Sequence, residues 1–355
     1  MKYMVLYQAL RDKITQGLWV YGDRIPSKRQ LADEYGISLI MTEHSLELLC
    51  QEGYLEAKQR SGYYVSYRSD DTYALTSEVQ QIRYTPVYDT HSENSFPFSA
   101  LARIMRRVLS EYGEQILIKT PNNGSPYLRS ALVHYLARNR GIHVSADQIV
   151  IGSGAEYLYG IIAEAFGENI VMGIENPSYE KIEKVYKSRS VHYESLTLGH
   201  DGITSSSLQR SNANILHVTP FRSFPSGVTA SASKRAEYVR WALQGDRYII
   251  EDDFESEFSL LRKPEDTIFA LSGAQNVIYL NTFSKSISPA VRIGYMVLPQ
   301  KLLERFNTEV GFYSCTVPTF EQLVLAELIE SGSFERHINR IRRTMRSKTE
   351  LNQIK

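Results

Sequence analysis

The stretch from residue 277 to residue 295 constrains the fold of this chain more than any other part of it. It opens with the apolar run 277–280, which is typical of a buried strand. Small hydroxyl side chains, a lysine and an arginine follow. A lysine just after a buried strand lies near apolar surface, which destabilises the ammonium form and makes the amine a better nucleophile. Because hydroxyl groups and a guanidinium suit a phosphate dianion, the stretch predicts a site for a ligand with an aldehyde and a phosphate.

Pyridoxal phosphate carries both groups, so the stretch predicts this cofactor. Lys285 is the expected catalytic residue, because its amine can capture the aldehyde. Thr282, Ser284 and Arg292 are expected to hold the phosphate. If only the Ser-Lys pair is considered, the alternative interpretation is an ordinary surface lysine after a strand. The longer string resembles the signature of the fold-type I aminotransferase-like domain, in the version carried by MocR regulators; its matching residues are Thr282, Phe283, Ser284, Lys285, Pro289, Arg292, Gly294 and Tyr295.

A turn of small residues is predicted to complete the phosphate site. Residues 152–155 lie between the predicted strand 148–151 and a helical pattern over 156–166. The start of a helix presents N–H groups without partners, and the positive end of the helix dipole, to an anion. Ser153 and the amides of Gly154 and Ala155 are therefore our candidates. The family often has glutamine where this chain has glycine, which implies one side-chain contact fewer.

Two residues are predicted to lie against the cofactor ring. The apolar run 248–250 ends in Glu251, Asp252 and Asp253. A carboxylate that faces the pyridine nitrogen keeps this nitrogen protonated and makes the ring an electron sink. The resemblance assigns this role to Asp252, with Glu251 or Asp253 as the alternative partner. Tyr179 matches the tyrosine of the family's Asn-Pro-x-Tyr turn, where an aromatic side chain can stack on the ring; a tyrosine of the core is the alternative.

The chain departs from the family pattern near the cofactor. Phe254 stands where the family has a tyrosine that donates a hydrogen bond to the cofactor's phenolic oxygen. The residues 221–223 are Phe-Arg-Ser, where the family tends to have Ser-His-Gln. Relatives also continue past the position of Lys355 with a small α/β domain, which carries the arginine that clamps a substrate carboxylate. We therefore expect a chain that binds the cofactor but tunes it poorly, with at most a partial transamination reaction.

The first 67 residues predict a winged helix-turn-helix. An apolar stripe with helical spacing predicts the first helix; its members are Val5, Leu6, Ala9, Leu10 and Ile14. Ser27 and Gln30 have the spacing of a capping box for a second helix, Gly36 ends that helix, and Ser38 can cap a third. Strand-like runs on both sides of a polar turn predict a hairpin, the wing. This order of elements, with the strings at 26–32 and 52–65, resembles the GntR-type DNA-binding domain.

This resemblance implies that the third helix enters the major groove of a double-stranded DNA operator. Basic residues cluster near the second helix and on the wing, where they can contact phosphates. Leu39 and Ile40 follow Ser38 where the family usually has a basic residue, so base readout is expected to involve other side chains. The predicted DNA-binding residues are Lys28, Arg29, Ser38, Thr42, His44, Lys58 and Arg60. A winged helix that serves only for protein contacts is the alternative, because residues 1–66 carry eight basic and eight acidic side chains.

Composition is that of an ordinary globular chain with two domains. The polar stretch 68–95 is interpreted as a linker between the winged helix, residues 1–67, and an aminotransferase-like large domain, residues 96–330. Residues 331–355 are interpreted as the start of a truncated C-terminal region. Lys+Arg (40) equals Asp+Glu (40), and no apolar run is long enough for a membrane span. The two cysteines lack metal-ligand spacing, so we expect a cytoplasmic protein without a metal site.

The two modules in this order favour a DNA-binding transcription regulator. The resemblance implies an α/β fold with a mostly parallel central sheet, and a homodimer. The aminotransferase-like domain is expected to sense pyridoxal phosphate or an amino compound as the small-molecule effector. A pyridoxal phosphate-dependent aminotransferase with an N-terminal DNA-binding domain is the second hypothesis, and a remnant with neither activity is the third.

Overall fold

The computed structural model describes residues 2–59, 61–68, 96–254, 256–259 and 265–353. The chain divides into two compact units, Met1–Tyr88 and Asp89–Lys355. The division falls inside the stretch that the sequence predicts to be a linker. Residues 69–95 of that stretch, and Arg60 of the predicted wing, lie outside the described residues.

The N-terminal unit has the three helices and the hairpin that its sequence predicts. Its elements are α1 (Lys2–Thr15), α2 (Lys28–Tyr35), α3 (Leu39–Gln51), β1 (Leu55–Lys58) and β2 (Gly62–Val65), and the two strands pair antiparallel. The capping box of Ser27 and Gln30 is present, and Gly36 adopts the left-handed conformation at the end of α2. The Ser38 hydroxyl accepts a hydrogen bond from the amide of Met41 at 3.3 Å, which caps α3.

One side of each helix builds the core of this unit. Leu6, Leu10 and Ile14 of α1 are buried, as predicted, and pack with Leu46 of α3. Val5 is exposed, which corrects the expectation that it backs the stripe. One residue turns an α-helix by about 100°, so the neighbour of a buried position falls at the edge of the stripe or outside it.

The C-terminal unit alternates strands and helices. Its helices are α4 (Phe98–Tyr112), α5 (Pro126–Arg140), α6 (Ala155–Phe166), α7 (Glu180–Ser188), α8 (Ser205–Arg210), α9 (Ala232–Ala242), α10 (Ile268–Leu271), α11 (Leu303–Glu309), α12 (Thr319–Glu330) and α13 (Ser333–Gln353). Its strands are β3 (Ile149–Gly152), β4 (Val171–Asn176), β5 (His192–Gly199), β6 (Gly202–Ile203), β7 (Ile215–Val218), β8 (Tyr248–Asp252), β9 (Val277–Thr282) and β10 (Gly294–Val297). Short 3-10 turns occur at Gly113–Leu117, Ala146–Gln148, Ser256–Phe258 and Gln300–Leu302.

The strands form one mostly parallel sheet in the order β3-β10-β9-β8-β7-β4-β5-β6. Strands β5, β4, β7, β8 and β9 run parallel, whereas β10 is antiparallel to both of its neighbours and β6 is antiparallel to β5. The predicted α/β class and parallel sheet are confirmed. The antiparallel β10 was not predicted.

Helices cover both faces of the sheet, because successive strand residues alternate between two cores. In β9, Val277 and Tyr279 belong to the core under α5 and α12, while Ile278 and Leu280 belong to the core under α6 and α7. The buried strands therefore appear in the sequence as continuous apolar runs. Among the described residues, no helix combines the length and apolarity that a membrane crossing requires.

Candidate functional site

The ends of several strands meet at one edge of the sheet. Strands β7, β8 and β9 are parallel neighbours, so their carboxyl ends lie together. Strand β10 begins at the same edge, where Gly294 pairs with Thr282 on one side and with Gly152 on the other. The turn before α6 and the loop after β9 are therefore neighbours. The polar stretches that the sequence singled out at 152–155, 251–253 and 282–285 all begin at this edge.

Asp252 is the buried carboxylate of the site. It ends β8 and is 3% exposed. Its Oδ2 accepts a hydrogen bond from the hydroxyl of Tyr159 on α6 and lies 3.7 Å from Nε2 of His217. Its Oδ1 is buried and has no hydrogen-bond partner among the described residues. Because such an oxygen is costly to leave unsatisfied, it fits a ligand atom that carries a proton, such as a protonated ring nitrogen.

The partners of Asp252 are themselves held in place. His217 lies in β7, and its Nδ1 is 2.7 Å from the hydroxyl of Tyr186 on α7. Burial, then the charge of Asp252, raises the pKa of Tyr159 well above its ordinary value. Tyr159 therefore keeps its proton and remains a donor to the carboxylate. Sequence reasoning missed both residues, although a histidine inside an otherwise apolar strand was a usable signal.

Glu251 and Asp253 face the other side of the sheet. The two oxygens of Glu251 accept from the amides of Ile268 and Phe269 at the start of α10, each at 2.8 Å. Asp253 Oδ2 lies 2.7 Å from Nη2 of Arg140. Strand alternation puts these two carboxylates on one face and Asp252 on the other. The structure thus separates Asp252 from the two acidic residues that were its alternatives.

Lys285 lies in the loop after β9 and contacts Phe254. Its side chain is exposed, and its Nζ is 4.6 Å from the centroid of the Phe254 ring. Phe254 follows Asp252 by two residues, and Asp252 pairs in register with Leu280 of β9. The lysine amine therefore lies beside the segment that carries the buried carboxylate, against an aromatic face that attracts a cation.

Arg292 lies against the start of α6. Gly154 has φ 96° at the cap position of this helix, and a Cβ built there would come 3.0 Å from Nη2 of Arg292. The guanidinium also pairs with Glu156 in the first turn of α6, at 3.1 Å. Glu156 in turn accepts from Lys181, whose hydrogen bond is the main effect that holds the pKa of this carboxyl below its ordinary value. Glycine suits position 154 because its φ of 96° is a conformation that other residues rarely adopt.

One of the two predicted amide donors, that of Gly154, is already used within the chain, which corrects the expectation for it. The amide of Gly154 donates to the carbonyl of Gly152 at 2.9 Å, and the amide of Ser153 donates to Oγ1 of Thr316 at 3.1 Å. The tight turn before α6 uses the amide of Gly154. Ala155, the first residue of α6, is the remaining amide candidate, and Ser153 stays a candidate through its hydroxyl.

The other predicted cofactor residues lie at the same edge or close to it. Thr282 is the buried last residue of β9, and Ser284 is half-buried in the loop that follows. Tyr179 is half-buried before α7, with its ring centroid 6.1 Å from that of Phe224 in an edge-to-face arrangement. Its partial exposure distinguishes Tyr179 from the fully buried core tyrosines.

Glu175 is a second buried carboxylate that the sequence did not single out. It lies in β4, and its Oε2 accepts from the hydroxyl of Ser223 at 2.6 Å. Burial raises the pKa of Glu175 to about 8. Ser223 belongs to the Phe-Arg-Ser segment in which the chain departs from the MocR pattern, so this departure supplies the hydroxyl that binds Glu175.

The predicted DNA-binding residues of the N-terminal unit divide into exposed and buried positions. Arg29, Ser38, His44 and Lys58 are exposed. Lys28, at the start of α2, forms an ion pair with Glu43 of α3, and its Nζ lies 5.6 Å from the centroid of the Tyr63 ring on the wing.

Thr42 does not fit its predicted role. It is fully buried in α3, and its hydroxyl donates to the carbonyl of Ser38 at 3.2 Å. A side chain that faces the core of the unit cannot reach a base edge. The helical period places position 42 with the buried Ser45, Leu46 and Leu49, a grouping that the sequence pattern already contained.

Comparison with known families separates the same two modules. The family described as "Bacterial regulatory proteins, gntR family" matches residues 2–65, and the family "Aminotransferase class I and II" matches residues 88–352. Among solved structures, an archaeal alanine:glyoxylate aminotransferase has a TM-score of 0.63 at 24% identity, over 68% of this chain and 62% of its own. A kynurenine aminotransferase from Pyrococcus horikoshii has a TM-score of 0.63 at 26% identity, over 70% of this chain and 64% of its own. The chain thus covers less than two thirds of either enzyme.

Curated relatives match nearly the whole chain. The uncharacterized HTH-type transcriptional regulator YdeL of Bacillus subtilis is 32% identical over 98% of this chain and 77% of its own length. The probable rhizopine catabolism regulatory protein MocR of Rhizobium meliloti is 26% identical over 95% of this chain and 73% of its own. The HTH-type pyridoxine biosynthesis transcriptional regulator PdxR of Corynebacterium glutamicum is 26% identical over 96% of this chain and 76% of its own length. The chain belongs to the GntR family of bacterial regulatory proteins, in its MocR group, in which an aminotransferase class I and II domain follows the winged helix.

Proposed function

We propose that this chain is a transcription regulator that binds an operator through its winged helix and senses pyridoxal phosphate through its aminotransferase-like domain. The observation that carries the sensor half is the buried Oδ1 of Asp252, which has no hydrogen-bond partner among the described residues. It lies at the sheet edge at which the loop of Lys285 begins. A bound pyridoxal phosphate would supply an electrophilic carbon and an electron-withdrawing ring.

The residues of the chain have separate roles in this proposal. Asp252 would hold a proton on the ring nitrogen, and the hydrogen bond from Tyr159 orients its carboxylate. Nε2 of His217 lies 3.7 Å from the same carboxylate. Lys285 would provide the amine for the aldehyde group. Phe254 contacts this amine through its ring and offers no hydroxyl to the cofactor.

The phosphate would lie at the start of α6. Arg292 provides the charge, and Ala155 provides the amide at the positive end of the helix. Thr282 and Ser284 provide hydroxyl groups from the neighbouring strand end. Tyr179 would cover the ring from the half-buried position before α7. Glu156 already neutralises part of the Arg292 charge, so phosphate binding would compete with this ion pair.

The operator is proposed to be double-stranded DNA, contacted by the exposed Arg29 and Lys58 and by the partly exposed Lys28. The exposed Ser38 precedes α3 as its cap, and the exposed His44 lies on α3, the helix that enters the major groove in this class of domain. As part of the same proposal, the regulator acts in the cytoplasm as a homodimer and responds to the cofactor or to an amino compound.

A spectrum tests the sensor half directly. We expect added pyridoxal phosphate to shift its visible absorbance on binding to the purified chain, and we expect Lys285→Ala to abolish the shift. Lys184→Ala, on the surface of α7, is the matched control and should leave the shift intact. An identical shift with Lys285→Ala would refute the role of this amine.

A DNA-binding measurement tests the regulator half. The chain should bind one sequence selected from random duplexes better than competitor DNA, with an affinity that changes when pyridoxal phosphate is added. No sequence preference would refute the operator. Sustained turnover of an amino acid with a keto acid acceptor would instead favour the second hypothesis, an aminotransferase. The presence of Lys285 and Asp252 in this chain is the observation that favours this hypothesis.

A further inference from the structure

Three consecutive apolar side chains are exposed at the start of α3. Leu39, Ile40 and Met41 are 49%, 80% and 41% exposed. They occupy the first three positions after the cap residue Ser38. The buried side of the same helix is complete without them, because it consists of Thr42, Ser45, Leu46 and Leu49. An isoleucine that is four-fifths exposed gains free energy only when another apolar group covers it.

Helix α3 contains no lysine or arginine. Its sequence is LIMTEHSLELLCQ. The commonest specific contact in the major groove is a pair of hydrogen bonds from arginine or lysine to guanine. Helix α3 cannot make this contact. The apolar group that a base presents in the major groove is the C5 methyl of thymine.

The position of these residues within the unit favours DNA as their partner. In helix-turn-helix domains the first residues of the recognition helix contact base edges. Basic side chains are available beside them for phosphates. Arg29 lies in the first turn of α2, and Lys28 is joined to α3 by its ion pair with Glu43. Lys58 lies on the wing. This combination of apolar residues and flanking cations complements a groove edged by phosphates.

Building on the DNA-binding function proposed above, we propose that Leu39, Ile40 and Met41 recognise thymine C5 methyl groups in the major groove. The operator half-site under the start of α3 is then rich in A·T pairs. Loss of one buried methyl contact should weaken binding about fourfold, from the usual free energy of a buried methylene.

The experiment begins with the full chain and a pool of duplexes with a randomised centre. Thymines should be enriched at two or three adjacent positions. In the selected duplex, each thymine is then replaced by deoxyuridine, which removes the methyl and keeps the pairing. We expect about fourfold weaker binding at those positions and no change at the others.

A variant assigns the effect to the helix. Ile40→Ala should weaken binding to the thymine duplex. At the one thymine that Ile40 contacts, replacement by deoxyuridine should then cause no further loss of affinity for the variant. Leu18→Ala is the matched control, because Leu18 is 67% exposed but lies outside α3 and the wing. It should retain the full response to deoxyuridine.

The outcomes separate this inference from the proposed function. No enriched duplex at all would overturn both. A selected duplex that tolerates deoxyuridine everywhere, or Ile40→Ala with an unchanged deoxyuridine response, would overturn the thymine proposal and leave the regulator intact. If Ile40→Ala alters the oligomeric state in sedimentation but not the DNA affinity, the apolar patch docks protein and the proposal is wrong.

Discussion

Tyr159 on α6 donates its phenolic hydrogen to the buried carboxylate of Asp252 at the end of β8. This contact ties a helix on one face of the sheet to the strand end at the candidate site. It satisfies one carboxylate oxygen and orients the other, Oδ1, which has no partner in the described part of the chain. A buried and oriented oxygen suits a protonated ring nitrogen, because a hydrogen bond is electrostatically stronger in a low dielectric than in water.

We predict that Tyr159→Phe weakens both the fold and cofactor binding. The substitution leaves a buried carboxylate oxygen without its donor, which should lower the free energy of unfolding by about 1–3 kcal/mol in urea denaturation. Tyr193→Phe is the control, since its hydroxyl donates to the partly exposed Glu183. If both variants lost the same unfolding free energy, the hydrogen bond from Tyr159 to the buried Asp252 would contribute no more than the one from Tyr193 to Glu183.

Removal of one partner from the buried ion pair of Arg140 and Asp253 should be strongly destabilising. The two side chains are buried, and Nη2 of Arg140 lies 2.7 Å from Oδ2 of Asp253. Arg140→Leu therefore leaves the buried carboxylate without its positive counter-charge, while the hydroxyl of Tyr279 still donates to it. We expect a loss of about 3–5 kcal/mol in the free energy of unfolding, measured by urea denaturation.

Arg138→Leu supplies the comparison for this prediction. Arg138 pairs with Glu335 at 2.8 Å, but its side chain is 56% exposed. A surface ion pair of this kind contributes about 0–1 kcal/mol. If Arg138→Leu and Arg140→Leu lowered the free energy of unfolding by similar amounts, burial would not be what determines the effect of breaking these ion pairs.

The pH dependence of stability should contain a contribution from Glu175. Burial raises the pKa of this carboxyl in the folded chain to about 8, from an ordinary value of 4.5. Between these values the folded state holds a proton that the unfolded state has released. The stabilisation is therefore complete below pH 4.5 and is lost as the pH rises toward 8, by up to about 1.4 kcal/mol per pH unit.

Glu175→Gln isolates this contribution. Other buried carboxyl groups also titrate with raised pKa values, such as Glu257 at about 7, so the difference between the variant and the natural chain is the relevant quantity. We expect the difference in unfolding free energy to change across pH 5–8. A constant difference over this range would contradict the raised pKa.

The basic residues around α3 should contribute to DNA affinity through phosphates. Arg29→Ala and Lys58→Ala should each reduce the slope of log affinity against log salt concentration by about 0.9, independent of DNA sequence. Binding to a fixed duplex at several salt concentrations measures this slope. Lys184→Ala, in the C-terminal unit, should leave it unchanged. If the doubly substituted chain kept the same salt dependence as the natural chain, Arg29 and Lys58 would not be phosphate contacts.

Local chemistry made much of the fold predictable. The capping box at Ser27, the left-handed stop at Gly36 and the cap at Ser38 depend on neighbours within four residues, so the helix boundaries followed from short strings. Continuous apolar runs indicated strands that are buried on both faces, and the mostly parallel sheet follows from them. The string around Lys285 identified the family before any geometry was known, because it contains eight matching positions.

The rest depended on tertiary structure, because it involves residues that are distant in the chain. Only the sheet order brings the ends of β3, β8 and β9 to one edge, through a strand β10 that the sequence pattern did not predict. Strand alternation, combined with the helices on each face, decided that Asp252 faces Tyr159 while Asp253 faces Arg140. Sequence identifies which groups are present, whereas side-chain direction and burial depend on packing between elements. This packing places the carboxylate of Asp252, and not that of Asp253, beside Tyr159.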